Sequence, residues 1–323
     1  MDYIKLAELL FPDVDKDINY YLSKYPNRNL KEGAEVTRLG PSPTGYLHLG
    51  HLYSAMIDSI TAKRTNGIFY LRLEDTDRKR FIDGAGDIAY QMLCHYNIDV
   101  NEGYMGDFKA QIGDYGDYVQ SNRIDIYKAF AKELVKKGRA FPCFCGANES
   151  KQDILERREK ELEQSDMIVE HDEKCRHLTY EEIEENIKNG KPWALKLLST
   201  GNLENQIEFN DLIKGPRLIR ENCKDVVLIK SNGIPPYALA HVVDDTLMHT
   251  TTVVRGEEWF PSLSAHLEIF DAFGFAPPKY AHTPVICISD NGNKRKLSKR
   301  KDPQADVRFY IEEGYPVKCI KEY

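Results

Sequence analysis

The apolar positions of residues 35–73 change period twice. "EVTRL" (35–39) alternates as a short strand does, and "LYSAMIDSITAKRTNG" (52–67) sets Leu52, Met56, Ser59 and Ile60 on one helical face before stopping at Asn66-Gly67. "IFYLRL" (68–73) then resumes as a buried strand. This order predicts a β-α-β unit. Its right-handed crossover makes the two strands parallel and delivers the residues that follow each strand to one edge of the sheet. Open α/β folds bind their ligands at that edge. Here it gathers the turn "GPSPTGYLHLGH" (40–51) and the stretch "EDTDR" (74–78).

A similar pattern returns late in the chain. "DVVLI" (225–229), "TTVVRG" (251–256) and "PVICI" (284–288) read as strands, separated by helical "YALAHVVDD" (237–245) and "PSLSAHLEIFDAFG" (261–274). The intervening region has another character, with charged helices "SKQDILERREKELEQ" and "TYEEIEENIKNGK" and a strand "PWALKLL". The predicted organisation is an N-terminal extension (1–33), the first half of a Rossmann-like domain (34–138), an insertion (139–224), the second half (225–302) and a closing segment (303–323). The predicted fold class is α/β, a parallel sheet with helices on both faces, split by an inserted α+β domain.

Composition narrows the class. At 323 residues, 41% hydrophobic and 29% charged, the chain reads as a globular protein with room for two or three cores. No apolar run approaches the roughly 18–20 residues of a membrane span, and the acidic start "MDYIKLAELLFPDVDKD" is unlike a signal peptide. A cytoplasmic protein with no membrane partner is expected. Seven cysteines, odd in number and thinly spread, read as thiols or metal ligands rather than a disulfide framework. A net charge of −7 leaves any nucleic-acid partner to local patches. One such patch is "KRKLSKRK" (294–301), whose plain reading is a solvated loop.

The turn at 40–51 leads into a helix N-terminus, whose free N–H groups and partial positive charge favour phosphate. Neither G-x-G-x-x-G nor the P-loop pattern fits, and no lysine precedes the helix, so a cation must come from elsewhere. His48 and His51, three residues apart, share a face and suit hydrogen bonds to phosphoryl oxygens; a purely structural role suits them equally. Cys143, Cys145, Cys175 and His177 form C-x-C and C-x-H pairs. They offer three thiolates and an imidazole to a structural tetrahedral Zn²⁺, or are four unlinked residues, since C-x-C is tighter than a standard finger.

"PSPTGYLHLGH", "RLEDTDR" and, about 220 residues later, "KLSKR" together resemble a class I aminoacyl-tRNA synthetase, specifically a glutamyl-tRNA synthetase. The resemblance runs from about Val36 to Asp302 and includes "GIPPYALAHVVDD" and "VVRGEEW". It implies the class I synthetase fold with an insertion that binds the tRNA acceptor end. It also implies ATP-dependent ligation of L-glutamate to tRNA(Glu) through glutamyl-adenylate, with ATP as its Mg²⁺ complex. By the same resemblance, HLGH (His48, Gly50, His51) and KLSKR (Lys296, Ser298, Lys299) hold ATP, with both histidines and both lysines catalytic. Arg38, Ser42, Glu74, Tyr237 and Arg255 then surround glutamate, His241 either touches the substrate with them or merely packs, and some family members carry zinc in the insertion.

Family members continue well beyond KLSKR. The unterminated "EEGYPVKCIKEY" therefore predicts a chain cut within a longer, monomeric enzyme. A shorter paralogue, glutamyl-queuosine tRNA(Asp) synthetase, has about this length and stands as the alternative. A small-molecule adenylyltransferase would not need the insertion or the glutamate residues, and a non-catalytic paralogue would have lost them.

Overall fold

Two short helices precede the first strand: α1 (Tyr3–Leu10), capped by the Asp2 carboxylate, and α2 (Ile18–Lys24), capped by Asp17. The computed structural model describes residues 1–77, 80–106, 110–145, 173–290, 292–298 and 301–322.

The expected β-α-β unit is β1 (Val36–Leu39), α3 (Leu49–Thr65) and β2 (Ile68–Leu71), with the two strands parallel and Val36 opposite Ile68. Asn66, at φ 53°, provides the left-handed C-cap of α3. Gly67 has a different task, because a Cβ there would overlap the Glu35 carbonyl that Ile68 N–H binds at 2.9 Å. After α4 (Ala85–His95), β3 (Glu102–Tyr104) adds parallel to β2, and β4 (Gln111–Ile112) pairs antiparallel at the edge.

The amphipathic helix α5 (Ile124–Lys136) buries Tyr127, Phe130 and Leu134 in a core shared with α1 and α2. Lys132, almost wholly buried, donates to Glu8 (2.8 Å) and to the carbonyls of Phe11 (3.1 Å) and Val14 (2.9 Å). Arg28 makes a second tie, reaching both oxygens of Glu102 on β3 (2.8 and 2.7 Å) and the Met248 carbonyl (2.8 Å). The N-terminal extension thus joins the two halves of the chain.

The inserted segment holds β5 (Ala140–Cys143), α6 (Tyr180–Lys188) with a Thr179–Glu182 capping box, and β6 (Ala194–Leu197). It also holds a long hairpin of β7 (Gln206–Asp211) and β8 (Gly215–Arg220). The expected helix "SKQDILERREKELEQ" (150–164) lies outside the described residues. β9 (Val227–Ile229), expected to open the second half, instead pairs with β6 and completes the sheet β5-β6-β9.

The second half follows as α7 (Tyr237–Leu247), β10 (Thr252–Gly256), α8 (Leu263–Phe273) and β11 (Lys279–Thr283), with β10 and β11 parallel. β10 lies beside β1, where Thr251 N–H donates to the Val36 carbonyl at 2.9 Å and Val36 N–H donates back to the Thr251 hydroxyl at 2.8 Å. The strand expected at "PVICI" is shorter and later. It is β12 (Cys287–Asp290), which forms an exposed antiparallel hairpin with β13 (Asn293–Lys296).

Helices α9 (Val307–Glu312) and α10 (Val317–Glu322) return the chain under the HLGH turn: Val307 N–H donates to the Leu47 carbonyl, and Val317 and Ile320 pack on the core that contains Leu47 and Leu52. Among the described residues no helix is long and apolar enough to cross a membrane.

Candidate active site

Both β1 and β10 run their C-terminal ends into a cavity of about 1240 Å³. Its lining contains nine of the residues singled out in the sequence: Arg38, Ser42, His48, Gly50, His51, Glu74, Tyr237, Arg255 and Lys296. This is the sheet edge to which the crossover argument assigned the turn, and it draws from both halves of the chain.

At the HLGH turn, His48 is the N-cap of α3, and its Nδ1 accepts the His51 backbone N–H at 3.2 Å. That bond leaves the ring proton on Nε2, so the imidazole is set up as a donor. The two rings stack 3.8 Å apart and 19° from parallel. Lys296, at the end of β13, reaches Glu258 at 3.3 Å on the cavity rim. Arg295 beside it holds Asp302 with two bonds of 2.7 Å, and Asp302 also accepts the Ser298 amide at 2.9 Å. Arg295 and the Ser298 amide hold the Asp302 carboxyl down at about 2, against a small opposing effect of burial. Ser298 does not line the cavity, and Lys299 lies outside the described residues.

The other side is a buried charge network. Arg38 projects from β1 and donates through Nε to Asp245 (3.2 Å) and through a terminal nitrogen to the Tyr237 hydroxyl (3.3 Å). Arg72, wholly buried, joins Asp245 (2.7 Å) to Glu74 (2.9 Å). Asp244 is held by Arg123 (2.7 Å), Gln120 (2.9 Å) and Tyr127 (2.8 Å), with the Arg72 Nε a further 3.8 Å ion-pair partner. Counted together, Arg38, Arg72 and Arg123 balance Glu74, Asp244 and Asp245, which is what allows six charges to sit out of water. Burial pushes the Asp245 carboxyl up, but Arg38 and Arg72 outweigh it and hold it well below the carboxylate range. At Glu74 burial wins over Arg72 and Arg38, and the carboxyl is raised. Gly40 leaves room for this arrangement, since a Cβ there would overlap the Glu74 carboxylate.

Arg255, at the end of β10, donates through Nε to His282 Nε2 (3.0 Å) and through a terminal nitrogen to His266 Nδ1 (3.2 Å). Arg255 lines the cavity, and its remaining nitrogen, NH2, is buried without a protein partner. Tyr237 is packed between Trp259 and His241, with ring centroids 4.4 and 5.1 Å away.

His241 does not reach the cavity. It is fully buried behind Tyr237, its Nε2 2.9 Å from the Tyr280 hydroxyl and its Nδ1 2.7 Å from Asp245. Burial pulls its pKa down to about 4 despite Asp245, so it is neutral at pH 7. Of the two roles, contact with substrate or packing, the geometry gives it packing.

Cys143, Cys145 and Cys175 bring their sulfurs within 4.8 Å of one another, with Cys145 and Cys175 at 3.2 Å. The fourth expected ligand is not with them. His177 is exposed, and the single 3₁₀ turn Glu173–His177 explains why. At three residues per turn, positions two apart point about 120° away from each other.

Sequence reasoning missed Arg72, Asp245 and Trp259. The signals were there: an arginine inside the apolar run "IFYLRL" and two acids closing the apolar helix "YALAHVVDD".

Residues 35–323 match the family of tRNA synthetases class I (E and Q), catalytic domain. Among its relatives are the glutamate–tRNA ligases of Clostridium beijerinckii, 45% identical over 325 residues, and of Acetivibrio thermocellus, 44% identical over 326. All of this chain takes part in both matches, but it spans only 58% and 59% of those relatives' lengths. A crystal structure of a glutamate tRNA ligase from Elizabethkingia meningosepticum in complex with its amino acid superposes with a TM-score of 0.71 at 30% identity, covering 88% of this chain and 54% of that one. The chain therefore belongs to the class I tRNA synthetase family of glutamate and glutamine, of which it carries the catalytic domain.

Proposed function

We propose that the protein ligates L-glutamate to tRNA(Glu) at the expense of ATP, with glutamyl-adenylate as the intermediate. One observation carries the reading: two buried arginines, Arg38 and Arg255, and the carboxylate Glu74 line the same cavity as the stacked pair His48 and His51. Glutamate has two carboxylates and an ammonium, and that set matches it group for group. Arg38 takes the side-chain carboxylate, Glu74 with Ser42 the ammonium, and Arg255 with Tyr237 the carboxylate that reacts.

In the first step an oxygen of that carboxylate attacks the α-phosphorus of Mg²⁺-ATP, the bond to the β-phosphate oxygen breaks, and pyrophosphate leaves. In the second a hydroxyl of the terminal adenosine of tRNA attacks the acyl carbon, loses its proton and displaces AMP. Such chemistry is catalysed mainly by position and charge. His48 and His51 donate to phosphoryl oxygens, with Gly50 allowing close approach. Lys296 and Lys299, flanking Ser298, meet the charge that grows on the leaving pyrophosphate. The inserted segment takes the acceptor end of the tRNA. Cys143, Cys145 and Cys175 would supply three of the four donors that a structural Zn²⁺ takes. The reading includes a cytoplasmic, monomeric enzyme.

Glutamate-dependent exchange of pyrophosphate into ATP, measured on the full-length protein with tRNA(Glu) present, tests it. Arg38→Gln should raise the glutamate KM by about 100-fold, since it removes one partner of a buried charged contact. Better exchange with another amino acid would overturn the reading. Full exchange without tRNA, with transfer to tRNA(Asp), would instead favour the queuosine-modifying paralogue.

A further inference from the structure

The hairpin β7–β8 belongs to the inserted segment, yet its tip is bonded to the strand behind the amino-acid pocket. Leu212 N–H donates to the Tyr280 carbonyl at 2.9 Å. The neighbouring Asp211, almost wholly buried, takes four contacts on its carboxylate. Oδ1 accepts the backbone N–H groups of Ile213 and Lys214 at 2.9 Å each, which shapes the hairpin turn. Oδ2 faces the His282 backbone N–H at 3.2 Å and the His282 ring Nδ1 at 2.6 Å.

The ring's other nitrogen settles the direction of these bonds. Arg255 Nε has only a proton to offer, so His282 Nε2 accepts from it, and the imidazole proton must reside on Nδ1 and point to Asp211. Asp211 therefore fixes the tautomer, and the tautomer fixes Arg255. The ring is held in plane by Tyr280, stacked at 5.8 Å, and by the edge contact of Phe260 at 5.0 Å. On its other side Arg255 donates to His266, so two of its nitrogens are committed to histidines, while the third, NH2, is buried and unpartnered.

We propose that Asp211 and His282 are positioning residues for Arg255: they hold its guanidinium in the cavity wall, where it meets the substrate carboxylate, and make amino-acid binding depend on the seat of the inserted hairpin. The inference rests on the reading that Arg255 receives a carboxylate of glutamate. By reciprocity, a ligand that shifts the hairpin changes affinity for the amino acid, and the amino acid steadies the hairpin in return.

Two substitutions at one position separate positioning from mere packing. His282→Asn keeps a donor for Asp211 but loses the acceptor for Arg255, whereas His282→Gln places its carbonyl where Nε2 stood and keeps that acceptor. In the full-length protein, with exchange of pyrophosphate into ATP as readout, His282→Asn should raise the glutamate KM by about tenfold or more while leaving the ATP KM unchanged. His282→Gln should recover most of the loss, and Asp211→Asn should raise the glutamate KM with the same indifference to ATP. Equal effects of Asn and Gln, or parallel rises in both KM values, would overturn the inference. A wild-type enzyme not saturable by glutamate would overturn the functional reading instead, so the two failures are distinguishable.

Discussion

Asp58 and Asp245 both feel the charge of Arg38 and respond in opposite senses. Asp245 is ion-paired and stays charged, whereas both oxygens of Asp58 are buried in α3 without a partner. Burial raises the Asp58 carboxyl well above its usual range, with Arg38 opposing too weakly to matter. The sign of its effect follows. In the folded chain Asp58 keeps its proton as pH rises past the unfolded carboxylate value, the unfolded chain loses its proton, and stability falls. Asp58→Asn should therefore gain stability relative to wild type as pH goes from 5 to 8 in urea melts. Asp245→Asn, which strands Arg38 and takes from Arg72 one of its carboxylates, should cost about 3–5 kcal/mol at either pH. An Asp58→Asn difference independent of pH would show that the carboxyl is ionised. The motif residues around the cavity were legible because they stand in short runs that carry the family resemblance, HLGH, "RLEDTDR" and "VVRGEEW" among them. For Arg72 and Asp245 the sequence held a hint, charges set in apolar runs, but not their pairing, because each one's counter-charge lies more than 170 residues away.

At the scale of elements, periodicity found α3, α6, α7 and α8 to within a few residues but lost β11. "KYAHT" carries lysine, histidine and threonine, yet Tyr280, Ala281, His282 and Thr283 are all buried, the polar ones hydrogen-bonded. Hydropathy cannot mark a strand whose polar groups are satisfied by partners elsewhere. The same limit applies to β9, whose apolar run reads equally well in either sheet. The cysteine cluster gives a test at this scale. If the three thiolates hold zinc, Cys175→Ser should lose the metal, measured as zinc per chain, and His177→Ala should retain it. Loss of zinc in His177→Ala would mean that the turn Glu173–His177 rearranges around the ion.

For the whole molecule, the N-terminal extension shows no chemistry in its sequence and has a mechanical role in the fold. Arg28, buried against Glu102, bonds the first half to the Met248 carbonyl at the end of α7. Arg28→Ala would leave Glu102 charged and buried, and should cost about 3 kcal/mol in denaturant melts without changing the KM for glutamate or ATP. A change in KM at unaltered stability would place the extension in the active site's workings instead.

The junction of β1 with β10 has a consequence in time. Val36 and the Thr251 that bonds it are 215 residues apart. At a synthesis rate of about 5–20 residues per second, one side of β1 waits about ten to forty seconds for its neighbour. Throughout that interval the emerging chain presents an unpaired strand edge, the kind of surface that recruits other chains. The nascent polypeptide is thus most exposed to misassembly while the ribosome is still reading the insertion, before any part of the second half exists to cover it.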